Sequence, residues 1–347
     1  MTPRRKKQAI FAMFVTVVAL SFVCLFVGSS NMPIAESFAA LIGKRDGASA
    51  KIIWNIRIPR VLAAILAGAG LSVSGLVMQT VLNNTMASPS TLGVSNAAVF
   101  GANLSIIAFA GGFLRTGHNV TNYMVGANPY ATSLMAFLFA VASILMILGL
   151  CKFRSFSPNV VVLAGIAMGS VWTAGTTILQ FYATDVGLSA AVIWNFGDLG
   201  RATYRTDLIL LAVVAPGTAF FQSMSWRYNA LLSGDAVAKT MGVHVDRLRF
   251  VSLLLASMIT AVCVSFLGVI GFVGIICPHV VKKIWGHDHR FATPASVLCG
   301  SLLLLAADTL SRSMGGGSAL PVGAITTLLG APFFVAIIFS KGGRREC

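Results

Sequence analysis

The GHDHR turn at 286–290 sets His287 and His289 on either side of Asp288, a grouping that outwardly resembles a metal site. Metal sites take three or four ligands at defined geometry. This turn instead stands beside Lys282, Lys283 and Arg290, so it reads as a solvated turn at the end of an apolar run. In LLLLAADTLSRS, Asp308 and Arg312 lie one helical turn apart, the spacing at which an acid and a base neutralise each other. A structural pair is the stronger reading there, and a proton relay through Asp308 the weaker one. His279, next to Pro278, has no second His, Cys or carboxylate in its span and reads as a partner for a backbone carbonyl freed by the proline. Cys24, Cys151, Cys263, Cys277, Cys299 and Cys347 show no C-x-x-C or metal-ligand spacing, and most fall in apolar runs where cysteine acts as a small hydrophobe. No G-x-S-x-G, H-E-x-x-H or Walker sequence is present, and Gly43-Lys44 lacks the phosphate-binding loop that would precede it. No catalytic residue, metal site or resident cofactor is expected, and by its motifs the chain does not hydrolyse ATP.

The elements that hold these residues are membrane spans. The 347 residues are 56% hydrophobic and only 10% charged, with a mean hydropathy of +0.85, too few polar groups to cover a soluble globule of this size. The net charge of +15 does not indicate nucleic acid, because no basic face interleaved with aromatics can be traced. A hydrocarbon core about 30 Å thick takes roughly 20 apolar residues in a helix. By that measure the spacing predicts an all-α integral membrane protein with about ten transmembrane helices. They fall near 9–30, 60–82, 92–112, 129–150, 158–181, 206–226, 248–270, 272–285, 293–313 and 322–340. The run from Ala9 is longer than a signal-peptide core and lacks an A-x-A exit, so it reads as a span that stays. The eighth span is short and carries Gly271, Gly274 and Pro278, which predicts a tilted or broken helix. The VGLSAAVIWNFGDLG stretch in the outer segment 182–205 is apolar but too short to cross, and reads as a re-entrant or interfacial helix. Gly68, Gly70, Ser72, Ser74 and Gly75 give the second span a face of small residues for close packing.

With both termini inside, the inner segments hold 16 of the 25 Lys and Arg, which places the termini and the loop at 227–249 in the cytoplasm. That loop is a polar interval in an apolar chain. Ser233 is a plausible N-cap, Asp235 suits the first turn of a short helix, and Gly242 can end it after Met241. A second helix from about Asp246 would run into the seventh span. Two short helices joined at a glycine form a rigid knob on the cytoplasmic face.

The loop's SGDAVAKTMGVHVDRLR resembles the coupling segment of permease subunits of ABC importers, in the FecCD-type family that takes up iron-siderophore complexes, haem and cobalamin. The same family is suggested by RIPRVLAAILAGAGLSVSGLVMQTVLNNTMASPSTLGVSN at 57–96 and VVLAGIAMG at 161–169. It is suggested again by GVIGFVGIICPHVVKKIWGHDHRFATPAS, LLLLAADTLSR and LPVGAITTLLGAPFF between 268 and 334. Several long motifs in order, from residue 57 almost to the C-terminus, are more specific than any short one. Thr85 departs from the proline usual in the family's NPLA-like motif, and Ala97 from a common glycine, which leaves the shape of that turn open.

The resemblance implies a single permease domain over 1–347 that pairs with a second copy or a paralogue in the cytoplasmic (inner) membrane of a bacterium or archaeon. Two cytoplasmic ATPase subunits, which hold the ATP and Mg, would meet Ser233, Gly234, Asp235, Ala238, Met241, Gly242 and Val243 of the coupling helices at 227–249. A periplasmic or lipid-anchored substrate-binding protein would meet Arg57, Arg60 and Arg312 at the outer end. Pro158 and Asn159 match positions that narrow the path. The expected function is ATP-driven import of an iron chelate, a ferric siderophore or haem, by alternating access. Cobalamin is the alternative within the family, and an ion-coupled secondary transporter the alternative outside it.

Overall fold

The computed structural model describes residues 2–27, 33–42, 47–109, 128–153, 157–314 and 319–341. Gly43-Lys44, the greater part of the outer segment at 111–128, Arg154, Cys347 and the terminal Arg344 and Arg345 lie outside them. The described chain is all-helical, with one isolated bridge between Phe196 and Val269 and no strand. The helices are α1 (Pro3–Phe26), α2 (Ile34–Leu41), α3 (Ala48–Val81), α4 (Val94–Phe109), α5 (Pro129–Phe153), α6 (Pro158–Phe181) and α7 (Asp185–Asn195). They continue as α8 (Tyr204–Ser223), α9 (Ser225–Leu232), α10 (Asp235–Thr240), α11 (Val245–Leu267), α12 (Val273–Trp285), α13 (His289–Met314) and α14 (Val322–Lys341).

Seven of these, α1, α3, α5, α6, α8, α11 and α13, are long and apolar enough to cross a membrane. Three others, α4, α12 and α14, stand where the third, eighth and tenth spans are expected. The second span begins earlier than its apolar run suggests. Residues 48–59, expected in an outer segment, extend α3 through a π turn at Ile53–Arg57. An extra residue in the turn keeps the polar Arg57 on the buried side without breaking the helix.

The centre of the fold is α3. Lipid offers little hydrophobic drive for one helix to leave it for another, so close approach of backbones does the work. A Cβ on Gly75 would fall 2.6 Å from the Cα of Gly274 on α12, and one on Gly68 would fall 2.6 Å from the carbonyl carbon of Gly300 on α13. The small residues expected to face a neighbour therefore meet glycines on two different helices. At the other extreme, α1 lies against the outside of α13 and leaves Phe11, Phe14 and Phe22 exposed, as a lipid-facing helix would.

The irregular backbone at the eighth span includes Gly271, one of the three residues that suggested a tilted or broken helix. The helix α12 runs unbroken through Pro278, and the irregular backbone comes before it, at 268–272. Pro278 cannot donate to the carbonyl of Gly274 and crowds it. The side-chain amide of Gln79 on α3 lies 3.5 Å from the carbonyls of Gly274 and Ile275 and takes up that role. Gly268 has φ +77°, and Phe272 has φ +64°, a left-handed conformation that costs a non-glycine residue energy. Backbone groups released at this break are paired by Asp198, whose N–H donates to Leu267 O at 2.9 Å, and by the Phe196–Val269 bridge. The segment after α7 thus packs against the break between α11 and α12.

Candidate functional site: a helical knob and an arginine cluster

Near the C-terminal end of α3, α9 and α10 meet at a two-residue joint. Gly234, not Ser233, caps α10, because the joint needs the φ of +101° that glycine supplies and Ser233 already closes α9. The other end is a glycine stop of the kind expected at Gly242 (φ +81°). The Val243 N–H donates to Ala238 O and the Gly242 N–H to Lys239 O, both at 3.0 Å, while Ala238 and Val243 bury against the chain. α11 then starts at Val245, one residue before the expected Asp246.

Of the coupling residues named from the sequence, Ser233, Gly234, Asp235, Met241 and Gly242 are exposed, and Ala238 and Val243 anchor the knob from inside. Two exposed apolar neighbours were not named: Leu232 and Val237, which with Met241 give the knob an apolar tip. Nor was Arg249 singled out. It is buried, its Nη1 and Nη2 each donate to one Asp235 carboxylate oxygen at 2.8 Å, and its Nε donates to the carbonyl of Val81 at 2.8 Å. Asp235 and Arg249 are 14 residues apart on different helices. No periodicity in the sequence could have paired them.

Pro158 is the first residue of α6 and shares a cavity of about 270 Å³ with Thr80, Gly234, Asp235 and Arg249, so the knob and the expected narrowing stand side by side. Asn159 is exposed beside it. Further along α6, this helix and the 84–96 segment line a groove of about 710 Å³ walled by Met86, Val162 and Ile166 as well as by Asn84, Asn96, Ser170 and Thr173, with no charged side chain among the described residues that line it. The turn left open by Thr85 closes without proline. Asn84 accepts from the Met86 N–H through its side chain at 2.9 Å, and Ala97 is buried in α4.

The GHDHR turn is solvated only in part. His287 is exposed, but His289 is 1% exposed, its Nε2 lies 2.9 Å from Thr80 Oγ1, and its ring is 5.1 Å from that of Tyr228. Gly286, at φ +83°, reverses the chain so that the first turn of α13 presses on α3 and α9. Asp288 Oδ1 accepts from Asn229 Nδ2 at 2.7 Å and from the Arg290 N–H at 3.0 Å, and Asn229 Oδ1 accepts from the His289 N–H at 2.8 Å. Burial pushes the Asp288 carboxyl up. The Arg290 N–H, the Asn229 amide and the charges of Arg290 and Lys6 outweigh it and hold the group below its ordinary 3.8. Because the folded value is depressed, this carboxylate contributes its full stability above the ordinary value and loses it as pH falls through the folded one. The His289 amide is expected to keep its protection from hydrogen exchange down to pH 3.8 and to lose it only as pH falls further, through the depressed folded value, and Asp288→Asn to remove that pH dependence.

At the opposite end of α3, Arg57, Arg60 and Arg312 come together, but not as free charges. They are 4%, 8% and 5% exposed. Asp308 pairs with Arg312 (Nε to Oδ2, 3.0 Å), as its spacing predicts, and also with Arg60 (Nε to Oδ1, 2.7 Å). Arg57 Nη1 donates to Leu25 O at 2.7 Å and Phe26 O at 3.3 Å, and Arg312 Nη1 to Cys24 O at 3.1 Å and Val27 O at 2.7 Å. These carbonyls end α1 and have no partners within that helix. The physical reason the guanidiniums turn inward is therefore that Asp308 and the end of α1 offer them acceptors.

Comparison with known proteins places this geometry. The chain is 44% identical over 336 residues to a Methanocaldococcus jannaschii protein assigned to the ABC transporter permeases, covering 96% of this chain and 95% of that one. It is 33% identical to the hemin transport system permease protein HmuU of Yersinia pestis (93% and 94% covered) and 35% identical to the cobalamin import system permease protein BtuC of Halobacterium salinarum (83% and 73%). A solved inward-facing structure assigned to the metal-chelate type of ABC transporter superposes with a TM-score of 0.82 at 26% identity, over 96% of this chain and 99% of that one. Residues 16–340 match the FecCD transport family, and the chain belongs to that family as a multi-pass permease of an ABC importer.

Proposed function

We propose that this permease carries an iron chelate, a ferric siderophore or haem, across the cytoplasmic membrane by alternating access driven by ATP in partner subunits. The observation that carries the mechanism is the knob: a short helix fixed between two glycine stops, with Leu232, Val237 and Met241 exposed at its tip. An apolar tip on a polar cytoplasmic element fits a groove on another protein better than it fits water. Two ATPase subunits holding ATP and Mg dock there, one under each permease of a dimer formed with a second copy or a paralogue. All ten helices named as spans cross the membrane with both termini in the cytoplasm, and α7 enters from the outer face without crossing. The chain acts as one permease domain.

The substrate path follows the groove on α6, whose mixed lining of aliphatic, hydroxyl and amide groups gives a large chelate many weak contacts and no charge to trap it, and Pro158 and Asn159 narrow its cytoplasmic end. A substrate-binding protein docks at the outer end. Arg57, Arg60 and Arg312 serve that docking by exchange, acidic groups of the binding protein competing with Asp308 and the α1 carbonyls. Cobalamin is the second reading of the substrate, because the cobalamin permease matches this chain at an identity (35%) close to that of the hemin permease (33%), over a shorter stretch. Family membership sets the ion-coupled transporter aside.

Two measurements test the proposal. Val237→Asp with Met241→Asp is expected to abolish co-purification with the ATPase while Lys239→Gln leaves it intact; co-purification of the doubly acidic variant would overturn the docking site. Titration of the cognate binding protein with haem, a ferric siderophore and cobalamin is expected to give tight binding of an iron chelate, and tight binding of cobalamin alone would replace the first substrate reading by the second.

A further inference from the structure

A six-residue helix hung between two glycine joints could swivel without moving any span. The knob avoids this through Arg249. Its guanidinium holds Asp235 of α10 with two nitrogens and the carbonyl of Val81, the last residue of α3, with the third. The two residues before Val81 are tied to other helices. Gln79 Oε1 accepts from Lys282 Nζ of α12 at 2.9 Å, and Thr80 Oγ1 lies 2.9 Å from His289 Nε2 of α13. Three consecutive residues thus gather α10, α12 and α13 onto the end of the central helix. Among the described residues no such bond ties the start of α6: Pro158 and the Asp235–Arg249 pair line a cavity of about 270 Å³.

We infer that Arg249 is a positioning residue that makes the knob and the end of α3 one rigid body, so that movement of the knob reaches the core through α3 and the chain slides at the cavity beside Pro158. This rests on the proposed docking of the ATPases at the knob. Packed elements shift as units across such a boundary, and a bidentate guanidinium with a third bond is a stiff connection. A lysine keeps the charge but offers one nitrogen and cannot hold both Asp235 and Val81 in that geometry.

The test uses the whole permease–ATPase complex, with native cysteines replaced and one spin-labelled permease copy per complex. Nitroxide pairs at Asn83→Cys with Lys239→Cys, and at Asn159→Cys with Lys239→Cys, are compared by pulsed electron paramagnetic resonance without nucleotide and after trapping with ATP and vanadate. All three positions are exposed. The 83–239 distance distribution is expected to stay unchanged on trapping while the 159–239 distribution shifts. Arg249→Lys, or Asp235→Asn where the first variant fails to assemble, is expected to make 83–239 shift as well and to lower transport of the probe chelate per ATP hydrolysed. A shift of 83–239 in the unsubstituted permease overturns the rigid body, as does an unaltered 83–239 pair in both clamp variants. If the ATPase does not co-purify and no distance responds to nucleotide, the docking reading itself fails and this inference falls with it.

Discussion

Gly75→Val is expected to yield no assembled permease, and Gly75→Ala a permease destabilised by about 3 kcal/mol, near the upper end for overpacked cores. The ordinary remedy for an added methyl group is rotation of a neighbouring side chain. Here the neighbour is backbone: the new Cβ would stand 2.6 Å from the Cα of Gly274 and closer to its carbonyl oxygen, so α3 and α12 must part along their length. Separation would also draw Gln79 away from the carbonyls beside Pro278 and Lys282 away from Gln79. Gly149→Ala is the control. It lies within α5 with nothing within 4 Å of its Cβ, and is expected to be neutral or to stabilise by up to about 1 kcal/mol. Thermal unfolding followed by size-exclusion chromatography in detergent separates the two cases, and equal melting of Gly75→Ala and the unsubstituted chain would refute the close packing.

The same contrast shows what the sequence could convey. The run Gly68 to Gly75 announces that a helix will approach closely, because glycine and serine in a span have little other purpose. It does not say which neighbour comes near, since Gly274 and Gly300 carry no complementary mark. Asp308 and Arg312 are legible as a pair from their i, i+4 spacing, but Arg60, about 250 positions away, joins them only through tertiary packing. The knob was legible in its polar composition and its Gly242 stop; the one-residue shift of its cap arises because a joint between two helices selects the residue tolerating positive φ over the better side-chain cap. Arg249 looked like one more inner basic residue. The span count was read from apolar length, which locates α12, but which of Gly271, Gly274 and Pro278 interrupts the chain was not legible, because Gln79 supports the helix at Pro278 from a distance of 195 residues.

Asp308→Ala is expected to destabilise the permease by about 3–5 kcal/mol, the cost of removing one member of a buried ion pair and leaving its partner uncompensated. Asp308 is 1% exposed and serves two arginines, so the substitution leaves Arg312 buried without a carboxylate and Arg60 with only the more distant Asp198, 3.9 Å away. Asp308→Asn keeps the shape and one acceptor and is expected to cost less. Arg312→Ala combined with Asp308→Ala should cost less than the sum of the two, since each single change strands the other group. Because Arg312 also closes the end of α1, the single variants are expected to speed hydrogen exchange near Cys24–Val27 before any global unfolding. This arrangement also decides how binding-protein docking is to be measured. Reversing the arginines to glutamate would disrupt the fold whether or not they touch the binding protein, so lost affinity would carry no information. Asp308→Asn acts in the opposite sense: it releases guanidiniums that an acidic partner could take. Partner exchange at this cluster predicts weaker folding together with tighter, more salt-sensitive association with the binding protein. Weaker folding with unchanged affinity would assign Arg57, Arg60 and Arg312 to holding α1 and α13 against α3, and would move the docking surface elsewhere on the outer face.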